Sequence, residues 1–153
     1  YNPQVKPYTY DEKRAIELYD GLPKELKESK DITISTSVVL LSSAEKIAEY
    51  WRKLGLNVNV EVVSGVPTEY QVLLAIIDIP IDPDQYALWH STQSQTNITK
   101  YSSPRIDKLL EDGRIEVDVE QRKKIYLDFQ RFLVEDSPAI FLYHPITYSI
   151  LRQ

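Results

Sequence analysis

The sequence predicts an α/β fold, a mixed β-sheet with helices on both faces. Three observations lead there. Ile32-Thr33-Ile34-Ser35-Thr36 alternates as a strand, Ala44, Ile47, Ala48, Trp51 and Leu54 follow helical spacing, and Val58, Val60 and Val62 alternate again. Strand, helix and strand within roughly thirty residues make a βαβ unit, so these strands are expected to run parallel. The continuous apolar run 72–77 reads as a central strand covered on both faces. Two helical patterns then lead into a last apolar stretch, Ala139-Ile140-Phe141-Leu142-Tyr143, which reads as a further buried strand.

Taken in order, Thr9 is placed to cap a helix through Ala15, Ile16 and Tyr19 that Gly21 stops. Residues 21–30 are polar, contain Pro23 and read as a connector. The 32–36 strand has one wet face. Ser42-Ser43-Ala44-Glu45 is a capping box for the next helix, and Gly55 is its expected end. After the run 72–77 come Asp82-Pro83-Asp84 and a polar stretch, 91–103. Ser103-Pro104 opens a short helix with proline in the first turn. Asp118-Val119-Glu120-Gln121 opens a longer one, with Ile125, Tyr126, Phe129, Phe132 and Leu133 on its buried side, ending before Pro138. His144 precedes Pro145 in a turn, and Ile146, Tyr148 and Ile150 alternate as a peripheral strand. No internal repeat interrupts this order.

Bulk properties exclude several classes. At 153 residues the chain fits one domain, residues 1–153, or one lobe of something larger. It is 42% hydrophobic and 27% charged, an ordinary globular composition. A net charge of −5 without a basic block speaks against nucleic acid and anionic membranes as partners. No apolar run is long enough to insert in a membrane. With no Cys, disulfides and Cys-based zinc sites are excluded. The chain opens on Tyr1 rather than Met, with no signal peptide, and is expected to be a piece of a longer polypeptide.

Chemistry concentrates in Asp82-Pro83-Asp84-Gln85-Tyr86-Ala87-Leu88-Trp89-His90-Ser91-Thr92-Gln93. Asp82 is placed to cap a helix, with Pro83 in its first turn and Gln85 closing a capping box. Tyr86, Trp89, His90 and Gln93 then share one helix face. Two readings follow. In one, Tyr86 and Trp89 pack on the sheet and the polar groups face water. In the other, the segment binds a ligand, because open α/β sheets bind ligands beyond the carboxyl ends of their strands. Trp89 would then supply a flat wall, with His90, Ser91, Gln93 and Asn97 as orienting groups. Asp78, just past the apolar run, would pair with a ligand cation as a partly desolvated carboxylate.

Catalysis is not expected. His90 and Ser91 are neighbours that do not face each other on a helix, and no nucleophile elbow occurs. Asp82 and Asp84 mimic a glycosidase pair, but Asp82 is better used as a cap. No metal or cofactor is expected either. His90 and His144 are the only histidines and lack metal-ligand spacing. Asp78, Asp82 and Asp84 lack the glycine of a calcium loop.

A set of segments, in order, resembles one known family. Tyr1-Asn2-Pro3, then Ala48-Glu49-Tyr50-Trp51-Arg52-Lys53-Leu54-Gly55-Leu56-Asn57-Val58, then Asp82-Pro83-Asp84 are similar to successive steps of the C-terminal lobe of extracellular solute-binding proteins of peptide ABC transporters, the oligopeptide- and dipeptide-binding family 5. Asn97 to Tyr101, Ile106-Asp107-Lys108-Leu109-Leu110, Arg122 to Tyr126, and Asp136-Ser137-Pro138-Ala139-Ile140-Phe141-Leu142-Tyr143 continue the likeness.

The resemblance implies one jaw of a two-lobe, flytrap-like binding protein that closes on its ligand by hinge motion. It implies a missing N-terminal lobe ahead of Tyr1, an ABC permease as partner, and a periplasmic or extracellular location with an anchor at that N-terminus. It also implies a small solute, in most relatives a peptide, whose amino terminus an aspartate holds; Asp78 is the nearest match. Ile79-Pro80-Ile81 departs from the glycine and polar residues usual there, which leaves sugars, metal chelates and opines open as ligands. A ligand sensor in a regulatory protein is the alternative function, and a hydrolase on the same scaffold a more distant one.

Overall fold

A computed structural model describes residues 2, 3, 5, 6, 8–27, 31–79, 81–144 and 151. The chain divides into two compact units: Tyr8–Ile79, which contains the sheet, and Tyr1–Pro7 with Pro80–Gln153, which is helical.

The sheet unit runs α1 (Glu12–Asp20), α2 (Lys24–Lys27), β1 (Ile32–Thr36), a 3₁₀ turn (Val38–Leu40), α3 (Leu41–Lys53), β2 (Val58–Val62) and β3 (Val72–Leu74). The strand order is β2-β1-β3, and β1 is parallel to both neighbours. The expected βαβ unit is therefore present, with Ile32 opposite Val58 and Thr36 opposite Val62. Ile34 and Val58 pack against Ala44 and Ala48 of α3. Two alanines one turn apart present little more than backbone, so α3 lies close on the sheet. Arg52, near the end of α3, donates from Nε and Nη2 to the Val58 carbonyl at 2.9 and 2.6 Å. Gly55, at φ +90°, reverses the chain after α3 in a conformation that strains any residue with a Cβ.

Local expectations fail in instructive places. Asp11, not Thr9, caps α1, accepting from the Arg14 N–H at 2.9 Å. A carboxylate is the better partner for a helix N-terminus. The 21–30 connector contains the short helix α2. The 42–45 capping box is not made: the 3₁₀ turn feeds directly into α3, so Ser42 and Ser43 already lie inside its first turn. The run 72–77 is not a central strand. β3 stops at Leu74, pairs only with β1 among the described residues, and leaves 75–77 exposed. Apolar content alone does not say how many neighbours a strand has.

The helical unit holds α4 (Tyr86–Trp89), α5 (Pro104–Ile115) and α6 (Val119–Asp136). Residues 116–118 join α5 and α6 into a hairpin, and the Asp118 carboxylate caps α6 by accepting from the Gln121 N–H at 2.8 Å. Ile106 and Leu110 of α5 meet Tyr126, Phe129 and Leu133 of α6 in one buried cluster. Gly113 lets the Tyr126 ring lie against α5, since a Cβ there would come 2.8 Å from Tyr126 Cζ. Buried Asn2 donates to the Leu127 carbonyl at 2.8 Å and ties the start of the chain to α6. Ser137 ends α6 in the left-handed region, just before Pro138.

The strand expected at 139–143 is absent. The segment makes no ladder among the described residues, and Ile140, Phe141 and Leu142 are exposed. A strand forms only where another offers its backbone groups, and no such neighbour lies beside it among the described residues. The strand expected at 146–150 lies outside the described residues. The sheet is thus small and wholly parallel among the described residues.

Candidate ligand-binding site

In the helical unit Asp82-Pro83-Asp84 forms a tied loop, not a helix start. Asp82 Oδ1 accepts from the Asp84 N–H at 2.8 Å and from Arg122 Nη2 at 2.9 Å. Asp84 accepts from the Tyr86 N–H at 2.9 Å and from Arg114 Nε at 2.8 Å. Asp82 therefore caps no helix, and Gln85 precedes α4 without a capping bond. Each carboxylate faces an arginine. Arg122 and Arg114 are the residues missed from sequence. Their signal was present as two cations spaced along the helices that follow two acids.

Trp89 is a core residue, 4% exposed, set among Ile106, Leu110, Tyr126, Phe129 and Leu133 and edge-on to Phe141 at 6.0 Å. His90 is 3% exposed and stacks on Tyr86 at 4.0 Å. His90 Nδ1 lies 2.8 Å from Thr92 Oγ1 and 3.2 Å from the Thr92 N–H, and Nε2 lies 3.4 Å from Glu111 Oε1. Both the N–H and the hydroxyl of Ser91 donate to Asp107, at 2.8 and 2.5 Å. Buried Asn97 donates to the carbonyls of His90 (3.3 Å) and Tyr101 (2.8 Å) and accepts from the Thr99 hydroxyl at 2.9 Å. Gln93 is half-buried and donates to Thr92 Oγ1 at 3.2 Å.

The four-residue face expected for Tyr86, Trp89, His90 and Gln93 is only partly realised. Helix α4 ends at Trp89 and His90 is extended (ψ 135°), so Gln93 leaves the face while Tyr86 and His90 keep their stack. Trp89, His90, Ser91, Gln93 and Asn97 thus share one braced loop, and most of their polar groups bond within it. Asp107 and Glu111, which hold its outer side, were not singled out by sequence.

Asp78 belongs to the other unit. It lies past β3 in the exposed segment 75–79, with no hydrogen-bond or ion-pair partner among the described residues. The expectation of a partly desolvated carboxylate is corrected: this one stands in water, free to take a cation. The polar face of the same sheet carries an open pocket of about 370 Å³ lined by Thr33, Ser35, Glu61, Glu69, Tyr70 and Gln71. Ser35 Oγ donates to Glu61 Oε1 at 2.6 Å, and Gln71 Oε1 accepts from the Thr33 N–H at 2.7 Å. The wet face expected for β1 is corrected: Ser35 is buried and Thr33 half-buried.

Charge pairs of the helical unit make it acid-sensitive. The hydrogen bond from Arg122, reinforced by the Asp84 N–H, holds the Asp82 carboxyl below its ordinary range. The Tyr101 hydroxyl, with help from Arg105, does the same for Asp136. A carboxylate whose folded pKa is depressed contributes stability above its unfolded value, about 4, and loses it as pH falls through the folded value. We expect the denaturant midpoint to be level from neutral pH down to about 5 and to fall below about 4. An Asp82→Asn, Asp136→Asn variant should start lower and show a shallower fall in the same titration.

Among the described residues no group of His, Asp and Glu stands ready to hold a metal ion. No described helix is long and apolar enough to cross a membrane.

No family model matches the chain. A stretch of 76 residues, 47% of the chain, is 32% identical to the probable di/tripeptide-binding protein 5 of Pseudomonas aeruginosa. Among solved structures, the periplasmic binding protein DppA of Helicobacter pylori, in complex with the peptide STSA, superposes over 90% of the chain with a TM-score of 0.76 and 28% identity. NikZ of Campylobacter jejuni, in complex with Ni(L-His), superposes over 87% with a TM-score of 0.75 and 25% identity. The chain spans 14% of the length of the curated relative and 30% and 32% of the two solved chains. By sequence and by fold, the chain is similar to one lobe of ABC-transporter substrate-binding proteins that include peptide- and nickel-binding members.

Proposed function

We propose that the chain is the C-terminal ligand-binding lobe of a non-enzymatic solute carrier, which captures a small peptide outside the cytoplasm and delivers it to an ABC permease. The observation that carries this reading is the likeness to the peptide-bound DppA over 90% of the chain. The neutralised Asp82 and Asp84 fit a binding role better than a catalytic one. In this reading Asp78 pairs with the peptide's ammonium group. Within the helical unit, Trp89, His90 and Asn97 fix the loop that carries Ser91 and Gln93. Residues 1–153 act as one working lobe, and a second lobe completes the cleft.

Thermal unfolding with added ligands tests the reading. A di- or tripeptide at 100 times its Kd stabilises a protein by about 2.7 kcal/mol, a readable rise in midpoint. We expect that rise with peptides and its loss in Asp78→Asn. A rise with the nickel–histidine chelate or sugars, and none with any peptide, would overturn the peptide assignment.

A further inference from the structure

The turn between α5 and α6 carries a row of apolar side chains in water. Ile115 ends α5, Val117 stands midway in the connection and Val119 opens α6; they are 76%, 93% and 76% exposed. Acids alternate with them as Glu116, Asp118 and Glu120. Glu116 and Asp118 are extended, with ψ 122° and 119°. Two residues of extended chain span about 7 Å, so each apolar side chain lies within reach of the next. Local bonds hold the row still. Glu116 Oε1 accepts from the Asp118 N–H at 2.8 Å, Asp118 Oδ1 from the Gln121 N–H at 2.8 Å, and Arg122 Nε donates across the hairpin to the Gly113 carbonyl at 2.9 Å. Branched side chains on a braced turn lose little freedom when a partner covers them. Single exposed apolar residues are ordinary, but a continuous row of three marks a surface that meets another molecule.

The charge around the row narrows the partner. Residues 111–120 hold five acids and one cation, Arg114, which Asp84 already pairs. Glu116, Asp118 and Glu120 have no ion-pair partner among the described residues. A second copy meeting this turn with its own would set these acids against one another. An anionic membrane surface would repel them as well. A protein surface that is apolar at its centre and cationic at its rim matches both features. We propose that the α5–α6 turn is a docking point for a protein whose apolar socket is ringed by Lys and Arg. For the carrier proposed above, on which this inference builds, that partner is the outer face of the permease.

Surface plasmon resonance of the complete two-lobe protein over its permease tests this. The permease is held in nanodiscs of zwitterionic lipid, and alanyl-alanine is present throughout. We expect the Val117→Ser, Val119→Ser variant to raise the dissociation constant at least about tenfold, the ratio that follows when two valine side chains no longer leave water. Both side chains are exposed, so the unfolding midpoint of that variant should stay. Glu120→Gln should weaken binding severalfold and make it less sensitive to salt. An unchanged dissociation constant in the double variant would overturn the inference and leave the carrier standing. No binding of the unmodified protein to the permease would overturn both. A lowered unfolding midpoint in the double variant would show that the second lobe covers the turn. A dimer in sedimentation that the double variant loses would assign the turn to a second copy. Either of these last two results overturns the inference and leaves the carrier standing.

Discussion

Trp89→Ala is expected to destabilise the helical unit by about 3–5 kcal/mol, the usual cost of removing a large buried aromatic ring. That is a large share of the roughly 5–15 kcal/mol that holds a domain of this kind together. The reason lies in its contacts. Trp89 is 4% exposed and belongs to one buried cluster with Ile106 and Leu110 of α5 and Tyr126, Phe129 and Leu133 of α6. Ala at this position leaves a cavity that two helices held by a three-residue connection cannot close without repacking. Urea unfolding followed by far-UV circular dichroism reads the effect as a lower midpoint. A midpoint equal to that of the unmodified chain, together with weakened ligand binding, would show instead that the ring is a ligand wall. The two readings of Trp89 left open by the sequence are thereby separated in one variant.

Asn97→Asp is expected to cost at least about 3 kcal/mol, because it sets an unpaired negative charge in a buried site. The substitution keeps the shape and removes the two donors. Asn97 Nδ2 now serves the carbonyls of His90 and Tyr101; a carboxylate oxygen would face both as a third acceptor. The loop 90–101 holds Ser91 and Gln93 in place, and Lys100 within it already occupies the left-handed region at φ 53°. Loosening should therefore appear as faster amide hydrogen exchange from 90 to 101 as well as a lower midpoint. Protonation of the new carboxyl restores one donor, so the deficit should shrink as pH falls through its raised pKa. A deficit independent of pH would mean that Asn97 acts through packing alone.

How much of this could be read in advance follows from the range of each interaction. The βαβ unit was legible because its signals are local: alternation in 32–36 and 58–62, and helical spacing between them. The same holds for Gly55 as a helix end and Asp118 as a cap, where one residue and its next three neighbours decide the matter. Thr9 misled for a competing reason: Asp11 stands two residues later and binds the helix N-terminus better. The runs 72–77 and 139–143 misled because strand content is a local property while strand pairing is not.

The candidate site shows the same division. The polar and aromatic wealth of 82–97 was visible in the sequence, and so was the likeness to peptide-binding carriers. The direction in which each group faces was not. Ser91 is turned to Asp107, sixteen residues on, and Asp82 to Arg122, forty residues on. Such pairings depend on where α5 and α6 come to rest. The sequence by itself determined the α/β class, the parallel pair around α3, the helical hairpin and the likeness to peptide-binding proteins. Only the tertiary structure decided that Trp89, His90 and Asn97 look inward and that Ile115, Val117 and Val119 stand in water. Periodicity fixes which face of an element is apolar, whereas long-range packing fixes which of those faces remain uncovered.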